Sequence, residues 1–406
     1  MRILFVTPYV PSRIRVRPFH FIRSLGSSHA ISLVSLVCDQ YEAALVPEVA
    51  EYCVSVDLVR LPRWQAYTNC LRALPSSLPL RVAYYQSSAF VHYILRIIRE
   101  YRIDVVHAEL IKVVPAMRAV LARERIPIIY DAVDCITSYL EQQRETERNP
   151  LRKAFISTEL KKMGRYESAS VCAFDSVVIT SNYDRDYLTR EYVARFGERA
   201  QHIQVVPNGV DTQYFAPLQA TRESDSLVFC AKMDYYPNAQ AMFYFCREVL
   251  PCIWARRPQV RLTIVGNNPP RLIRDLASDE RITVTGYVQD IRPYLSKASV
   301  ALAPLLVAAG MQNKVLEALA MATPLAATPA ACRALSLESG KHLLIAENAQ
   351  TFAAAILRLL DDPQLALRLG HMGRHYVEQH YSWQASADML DKIYKNAIYK
   401  IDQVIQ

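Results

Sequence analysis

Glycine is scarce in this chain, 10 residues of 406 against 22 prolines, so each glycine calls for its own reading. Gly209, Gly266, Gly286 and Gly310 all fall at the ends of apolar runs or in loops. The nine cysteines are odd in number and scattered, and none forms C-x-x-C, which argues against a disulfide framework or a metal cluster and for free thiols in a reducing compartment. No apolar run approaches the roughly 20 residues that cross a bilayer. Met1–Pro8 reads as a first strand and lacks the apolar core and cleavage site of a signal peptide, so a cytoplasmic location is expected. Zinc-finger, RNA-recognition and helix-turn-helix patterns are missing, so nucleic acid is not an expected partner. Short-period repeats and low-complexity tracts are also absent.

What is present is a globular composition, 51% apolar and 21% charged, on a chain long enough for two domains. The formal charge of +8 suits anionic partners. Apolar runs at Ile3–Thr7, Ala30–Leu36, Val105–His107, Ile126–Tyr130 and Ser176–Thr180 alternate with helical patterns at Arg17–Leu25, Ser87–Tyr101, Val114–Arg125 and Pro150–Ala173. Such alternation predicts a parallel sheet with helices on both faces. Pro207-Asn208-Gly209 is turn chemistry, and the alternation restarts after it with strands at Leu227–Cys230, Arg261–Val265, Ile282–Thr285, Val300–Ala303, Leu325–Thr328 and His342–Ile345. A helix is expected over Ala239–Pro251, and two helices, about 350–378 and 382–399, are expected to close the chain. The fold class is therefore α/β, with two similar units and a cleft between them at the strands' carboxyl ends.

The most informative segment runs from Gly310 to Pro324. An apolar strand, Val300–Leu306, leads through Gly310 into a helix whose apolar face carries Val315, Leu316, Leu319 and Met321. Unpartnered N–H groups at a helix start make an anion site. Lys314 adds a cation, and Glu317 one turn on can accept hydrogen bonds from vicinal hydroxyls. Diphosphate at the helix start and ribose at the carboxylate describe a sugar nucleotide. Asp131 and Asp134 follow the strand near 130, where carboxylates can bind sugar hydroxyls, accept a proton or cap the next segment. No third ligand accompanies them, so no metal site is expected. His107 reads either as a hydrogen-bonded core residue or as a site residue.

Several motifs occur together: Val206 to Asp211 with Tyr214-Phe215, Phe229 to Asn238, Ile264-Val265-Gly266, Thr285 to Tyr294, Gln312 to Ala320 and Tyr381-Ser382-Trp383. Upstream stand Arg17-Pro18-Phe19-His20, Asp131-x-x-Asp134 and the Glu159…Tyr166-Glu167 spacing. These residues resemble retaining glycosyltransferases of the GT-B fold, glycosyltransferase family 4 (glycosyl transferases group 1), which includes sucrose synthase and bacterial mannosyltransferases. They are most similar to a bacterial branch tied to exopolysaccharide assembly.

The resemblance implies two Rossmann-like domains: an acceptor domain over residues 1–205, a donor domain over 206–380, and a helix over 381–406 returning to the first. It implies that Glu317 holds the donor ribose, and that Gly310, Met311 and Asn313 with Lys314 cradle the diphosphate. The backbone near Tyr287 and Val288 would meet the nucleobase, and Arg17 would face the diphosphate from the first domain. Lys314 and Arg17 would stabilise the leaving group, with Asp134 and Asp131 as first-domain candidates beside the sugar.

Departures stand beside these matches. Ala309 occupies the first glutamate position of the family's E-x7-E element. Pro11 to Arg15 replaces a Gly-Gly turn, Ala231 and Asn238 stand roughly where relatives carry Gly and Lys, and the family's histidine after the strand near 130 is missing.

The expected function is metal-independent, retaining transfer of a sugar from a nucleotide-diphosphate sugar to an unidentified hydroxyl acceptor, with no cofactor. The alternatives are a catalytically silent nucleotide-sugar-binding subunit and a sugar-nucleotide epimerase. Basic stretches at Arg13 to Arg17 and Leu151 to Lys162 leave peripheral contact with an anionic membrane open.

Overall fold

The computed structural model describes residues 1–38, 40–174, 176–197 and 203–405. It divides into two compact units, Met1–Pro207 with Trp383–Gln406, and Asn208–Ser382. The strands of the first are β1 (Arg2–Thr7), β2 (Ala30–Val37), β3 (Ser55–Arg60), β4 (Val105–Glu109), β5 (Ile128–Val133), β6 (Ser176–Ile179) and β7 (Ile203–Val205). Among the described residues they form one sheet in the order β3-β2-β1-β4-β5-β6-β7, parallel throughout. The second unit holds β8 (Ser226–Cys230), β9 (Arg261–Val265), β10 (Ile282–Gly286), β11 (Val300–Ala303), β12 (Leu325–Ala327) and β13 (Leu344–Ile345). They form a parallel sheet in the order β10-β9-β8-β11-β12-β13. Both sheets are doubly wound, as the alternation predicts. In each the order reverses beside the first strand, between β1 and β4 and between β8 and β11, which is where such sheets open a crevice at their carboxyl ends.

The strands read as continuous apolar runs because helices cover both faces. In the second unit Val315, Leu316 and Leu319 pack on one face, and Met242, Phe245, Ile253, Phe352 and Ile356 on the other. Several helices carry at their start a side chain that satisfies free N–H groups. The Ser87 hydroxyl accepts from Phe90 N, Asn149 Oδ1 from Leu151 and Arg152 N, and Asn348 forms a capping box with Thr351. Gly197, at φ +74°, ends the helix Asn182–Phe196 in the left-handed region.

The last helix, Trp383–Ile405, returns to the first unit. Trp383 stacks on His20, ring centroids 4.6 Å apart at 9°, and meets Phe21 edge-on at 5.7 Å. Leu390, Ile393 and Tyr394 continue the same buried face.

Some elements differ from expectation. Three helices close the chain rather than two: Ala349–Asp361, Pro363–His380 and Trp383–Ile405. Pro363 has no N–H to continue the first of them, and Asp362 caps the second by accepting from Leu365 N. The helix expected over Ala239–Pro251 is Tyr236–Tyr244, a π turn Phe245–Val249 and Leu250–Trp254, broken where Pro251 withdraws an N–H. Strands β3 and β7, short or mixed in polarity, have no clear alternation in the sequence.

Trp383→Ala removes the ring that fixes the last helix to the first unit. It should destabilise that unit by roughly 3–5 kcal/mol, the usual cost of deleting a buried aromatic. Denaturant unfolding of the full chain, followed by far-ultraviolet circular dichroism, measures this. An unchanged midpoint would mean that the helix is held without it.

Candidate functional site

In the second unit the crevice side of β8 and β11 is built by one loop and one helix. After β11 the chain runs to Gly310, whose φ of +57° lies in the left-handed region and turns the backbone into the helix Asn313–Ala320. No side chain caps that helix. Gln312, in the capping position, bends back instead, and its Nε2 donates to Ala309 O at 2.8 Å. Its Oε1 accepts from Lys314 Nζ at 2.7 Å. Asn208 ties the strand-exit loop to the same place: its N–H reaches Met311 Sδ at 3.2 Å, and its Nδ2 donates to Asn313 Oδ1 at 3.2 Å. Gly310, Met311, Asn313, Lys314 and Glu317 are thus brought together, with the helix start left to an outside acceptor.

Lys314 and Glu317 are partly buried, one turn apart. Burial lowers the Lys314 pKa to about 8, against the pull of Glu317, and raises that of Glu317 to about 7, against the pull of Lys314. The Glu317 carboxylate makes no hydrogen bond or ion pair among the described residues. It lies within electrostatic reach of Cys230 at the end of β8, a thiol that burial and then Glu317 push up. A carboxylate, a cation and an uncapped helix start therefore share the crevice side. Gly266, after β9, has its own constraint: a Cβ there would overlap the Ala231 carbonyl oxygen.

Tyr287 and Val288 follow β10, after Gly286 at φ +70°. Tyr287 is 69% exposed, while Val288 packs against the core. Arg292 steadies this turn by clasping Asp290, at 2.7 Å for NH2 to Oδ2. No hydrogen bond or ring contact among the described residues joins Tyr287 or Val288 to the Gly310 loop. Ala231 and Asn238 close the β8 exit. The Asn238 amide donates to Lys232 O at 2.8 Å, and its Oδ1 is buried without a partner.

The first unit carries a second polar cluster. Arg17 and Asp131, expected as separate groups facing ligands, form one buried ion pair. Arg17 Nε donates to Asp131 Oδ2 at 2.7 Å and its NH2 to Oδ1 at 3.1 Å, while NH1 donates to Val206 O at 3.0 Å. Arg17 is only 3% exposed and Asp131 not at all, so this geometry gives the pair a positioning part. Burial alone would raise the Asp131 pKa, but the Arg17 charge and the hydrogen bonds it receives hold it below the usual carboxylate value. His107 is a core residue. Its Nδ1 meets Tyr394 OH at 2.9 Å, its Nε2 stands 3.4 Å from Asp131 Oδ2 without hydrogen-bond alignment, and burial lowers its pKa.

Asp131 also receives Val133 N–H at 3.1 Å, at a residue whose φ of +65° is strained for a β-branched side chain. That turn ends β5 and leads into Asp134. Burial, then the charges of Asp184 and Glu167, raise the Asp134 pKa to about 7, against Arg81 and Lys112. Its Oδ1 is buried without a partner. Glu167 caps the helix Ile136–Thr146, accepting from Ile136 N and Thr137 N at 2.8 and 2.9 Å. Glu159 accepts from Leu80 N at 2.8 Å.

Glu109 was not singled out from the sequence. It extends β4 two residues past His107, pairs in register with Asp131 and is followed by Leu110 at φ +68°. Tyr9 OH donates to its Oε1 at 2.9 Å, and its Oε2 is buried without a partner. Burial, then the Asp131 charge, raise its pKa to about 8. Lys112 lies within electrostatic reach of both Glu109 and Asp134. The available signal was position: a carboxylate at the end of an apolar strand beside the switch point. Among the described residues, no group of three or more His, Cys, Asp or Glu is arranged to hold a metal ion.

Two family models match the chain: "Glycosyltransferase Family 4" over residues 34–214, and "Glycosyl transferases group 1" over 224–362. A phosphatidyl-myo-inositol mannosyltransferase of Mycolicibacterium smegmatis is 28% identical over 47% of this chain and 51% of its own length. The chain thus spans about half the length of the curated relatives it matches. Among solved structures, sucrose-phosphate synthase from Thermosynechococcus elongatus superposes with a TM-score of 0.73 at 16% identity, covering 98% of this chain and 100% of that one. Anabaena Alr3699/HepE in complex with UDP gives a TM-score of 0.70 at 13% identity, covering 98% and 100%. At these identities the structures establish the fold, which is GT-B.

Glu109 makes the first unit sensitive to pH. Its ordinary pKa of 4.5 rises to about 8 on folding, so the folded state binds the proton more tightly. Its contribution is then fully present below about pH 4.5 and is lost as pH rises through about 8. Glu109→Gln keeps the shape without the titration. Urea unfolding at several pH values across that window should show stability falling more steeply with pH in the wild type than in the variant. Parallel pH profiles would show that Glu109 titrates alike in both states.

Proposed function

We propose that this chain, a GT-B protein of the group 1/family 4 glycosyltransferase type, is a metal-independent, retaining glycosyltransferase that moves a sugar from a nucleotide-diphosphate sugar to a hydroxyl acceptor. The observation that carries the proposal is the uncapped start of the helix Asn313–Ala320, with Lys314 and Glu317 on its first turns at the switch point of the second sheet. The mannosyltransferase relative and the UDP complex support a nucleotide sugar as donor.

The chemistry follows from charge. As the glycosidic bond breaks, negative charge gathers on the departing diphosphate. The N–H groups of Asn313 and Lys314 and the Lys314 ammonium stabilise that charge more in the transition state than in the ground state. Glu317 accepts the ribose hydroxyls and fixes the nucleotide. Retention of the anomeric configuration rests on likeness to the family, and no residue here is assigned as a nucleophile. The first unit binds the acceptor, with Asp134, half-buried at the exit of β5, as the candidate carboxyl beside its hydroxyls. Assembly of an exopolysaccharide or another glycoconjugate is the proposed setting.

Ala309 favours one second reading, a subunit that binds nucleotide sugar without turnover. Where relatives place a carboxylate on the sugar, this chain offers only a backbone carbonyl already bonded to Gln312. Release of nucleoside diphosphate from uridine, guanosine, adenosine and thymidine diphosphate sugars, with candidate acceptors and excess EDTA, separates the two. Turnover in EDTA is the expected result. Binding without release would make the chain a silent subunit, and turnover restored by one divalent ion would overturn metal independence.

Glu317→Ala should weaken nucleoside diphosphate binding by roughly 1.5–3 kcal/mol, the worth of a charged hydrogen bond to the ribose. Calorimetry on wild type and variant measures it. Equal affinities would leave Glu317 a helix residue with no part in the site.

A further inference from the structure

Gln312 stands at the start of the helix Asn313–Ala320, a place usually taken by Ser, Thr, Asp or Asn. Its backbone is extended there, at φ −89° and ψ 97°, and its side chain caps nothing. The amide is held at both ends instead. Its Nε2 donates to Ala309 O at 2.8 Å, and its Oε1 accepts from Lys314 Nζ at 2.7 Å. These partners fix which way the amide points, because a carbonyl oxygen can only accept and an ammonium can only donate. Gln312 is buried, so water offers its amide little competition for either bond.

Lys314 depends on that oxygen. Among the described residues, Gln312 Oε1 is the one hydrogen-bond partner of Lys314 Nζ, and no carboxylate forms an ion pair with it. Glu317, on the same helix, is the charged group that acts on it, and does so through space. An ammonium has three N–H donors, so two remain for an outside acceptor. They add to the free N–H groups of the helix start.

The neutrality of the amide has consequences. A glutamate has the same length, but it would pair with the ammonium and set a negative charge against the helix start, where an anion is to bind. It also could not donate to Ala309 O, and the Gly310 turn would lose that bond. An amide holds the ammonium by a dipole and leaves its charge to a ligand. Residues 309–314 accordingly carry a single charge, that of Lys314.

We propose that Gln312 is a positioning residue for the diphosphate: its amide turns the Lys314 ammonium back to the helix start, uncompensated, and ties it to the Gly310 turn through Ala309 O. The inference rests on the reading of that helix start as the diphosphate site. The competing account makes Gln312 a staple of the turn alone, with no action through Lys314.

Calorimetry with uridine, guanosine, adenosine and thymidine diphosphate selects the tightest ligand, and a double-mutant cycle on that ligand tests the proposal. Circular dichroism melts check that each variant is folded. Gln312→Met keeps the length and loses both bonds. It should weaken binding at least about fivefold in the wild type and less than about twofold in the Lys314→Met background. Gln312→Glu adds a pH signature. Wild-type affinity should fall as pH rises above about 8, where Lys314 loses its proton. In Gln312→Glu binding should be weaker, and the fall should move to higher pH, because the new carboxylate holds the ammonium. Measurements from about pH 7.5 upward leave Glu317, at about 7, and the ligand's terminal phosphate, at about 6, already ionised, while burial keeps the Cys230 thiol protonated. Equal losses in both backgrounds, or none in either, would overturn the proposal, as would an alkaline fall that Gln312→Glu leaves in place. Failure of the wild type to bind any of the diphosphates would overturn the diphosphate site and this proposal with it. Binding with the expected coupling, but no release of nucleoside diphosphate from any donor, would retire the transferase reading and leave Gln312 its part.

Discussion

Asp131 is a carboxylate with no exposed surface, and four elements of the first unit meet on it. Arg17, from the first helix, clasps both of its oxygens. His107 faces it from β4 and is itself bonded to Tyr394 of the last helix. The N–H of Val133 closes on it from the strand it ends. A charge so deep survives only because its partner and its hydrogen bonds offset the loss of water, and removing one member would leave the other uncompensated. The ion pair is therefore weak evidence of net stability and strong evidence of fixed position. It holds the first helix, two strand ends and the returning helix in one register.

The geometry around that pair is strained where the chain turns away from it. Leu110, just past β4, and Val133, the last residue of β5, are not glycines, yet both take positive φ. Each adjoins a carboxyl group with an unpartnered buried oxygen, Glu109 before Leu110 and Asp134 after Val133. Strain of this kind persists only where the surroundings over-determine it, and Asp131 bonded to Val133 N–H is that determinant. The second unit solves the corresponding turn with Gly310, which takes the left-handed conformation without cost and needs no such clamp.

The fold was legible because its signals are local and repeated. Strand-length apolar runs alternating with 3.6-period helices leave little choice but doubly wound sheets. The Gly310 helix was legible for the same reason, since its turn, cation and carboxylate lie within eight residues of sequence. What escaped depends on distant parts of the chain. Arg17 and Asp131 are 114 residues apart, and nothing in either neighbourhood says that they neutralise one another. Glu109 looked like the residue after a strand because a lone carboxylate does not announce burial.

The state of Lys314 and Glu317 without ligand bears on what the second unit can select. Burial draws both toward their uncharged forms, the lysine to about 8 and the carboxyl to about 7. Under the proposed function a diphosphate at the helix start favours the ammonium, and ribose hydroxyls favour the carboxylate. The two parts of the ligand therefore ionise the two side chains in opposite directions, with little net exchange of protons with solvent. Phosphate alone would leave Glu317 without a donor, and a nucleoside alone would leave Lys314 without an anion. Each fragment then pays for a buried charge or an unmade hydrogen bond that the whole nucleotide does not incur. A site built this way discriminates by the penalty on the incomplete ligand more than by extra attraction for the complete one.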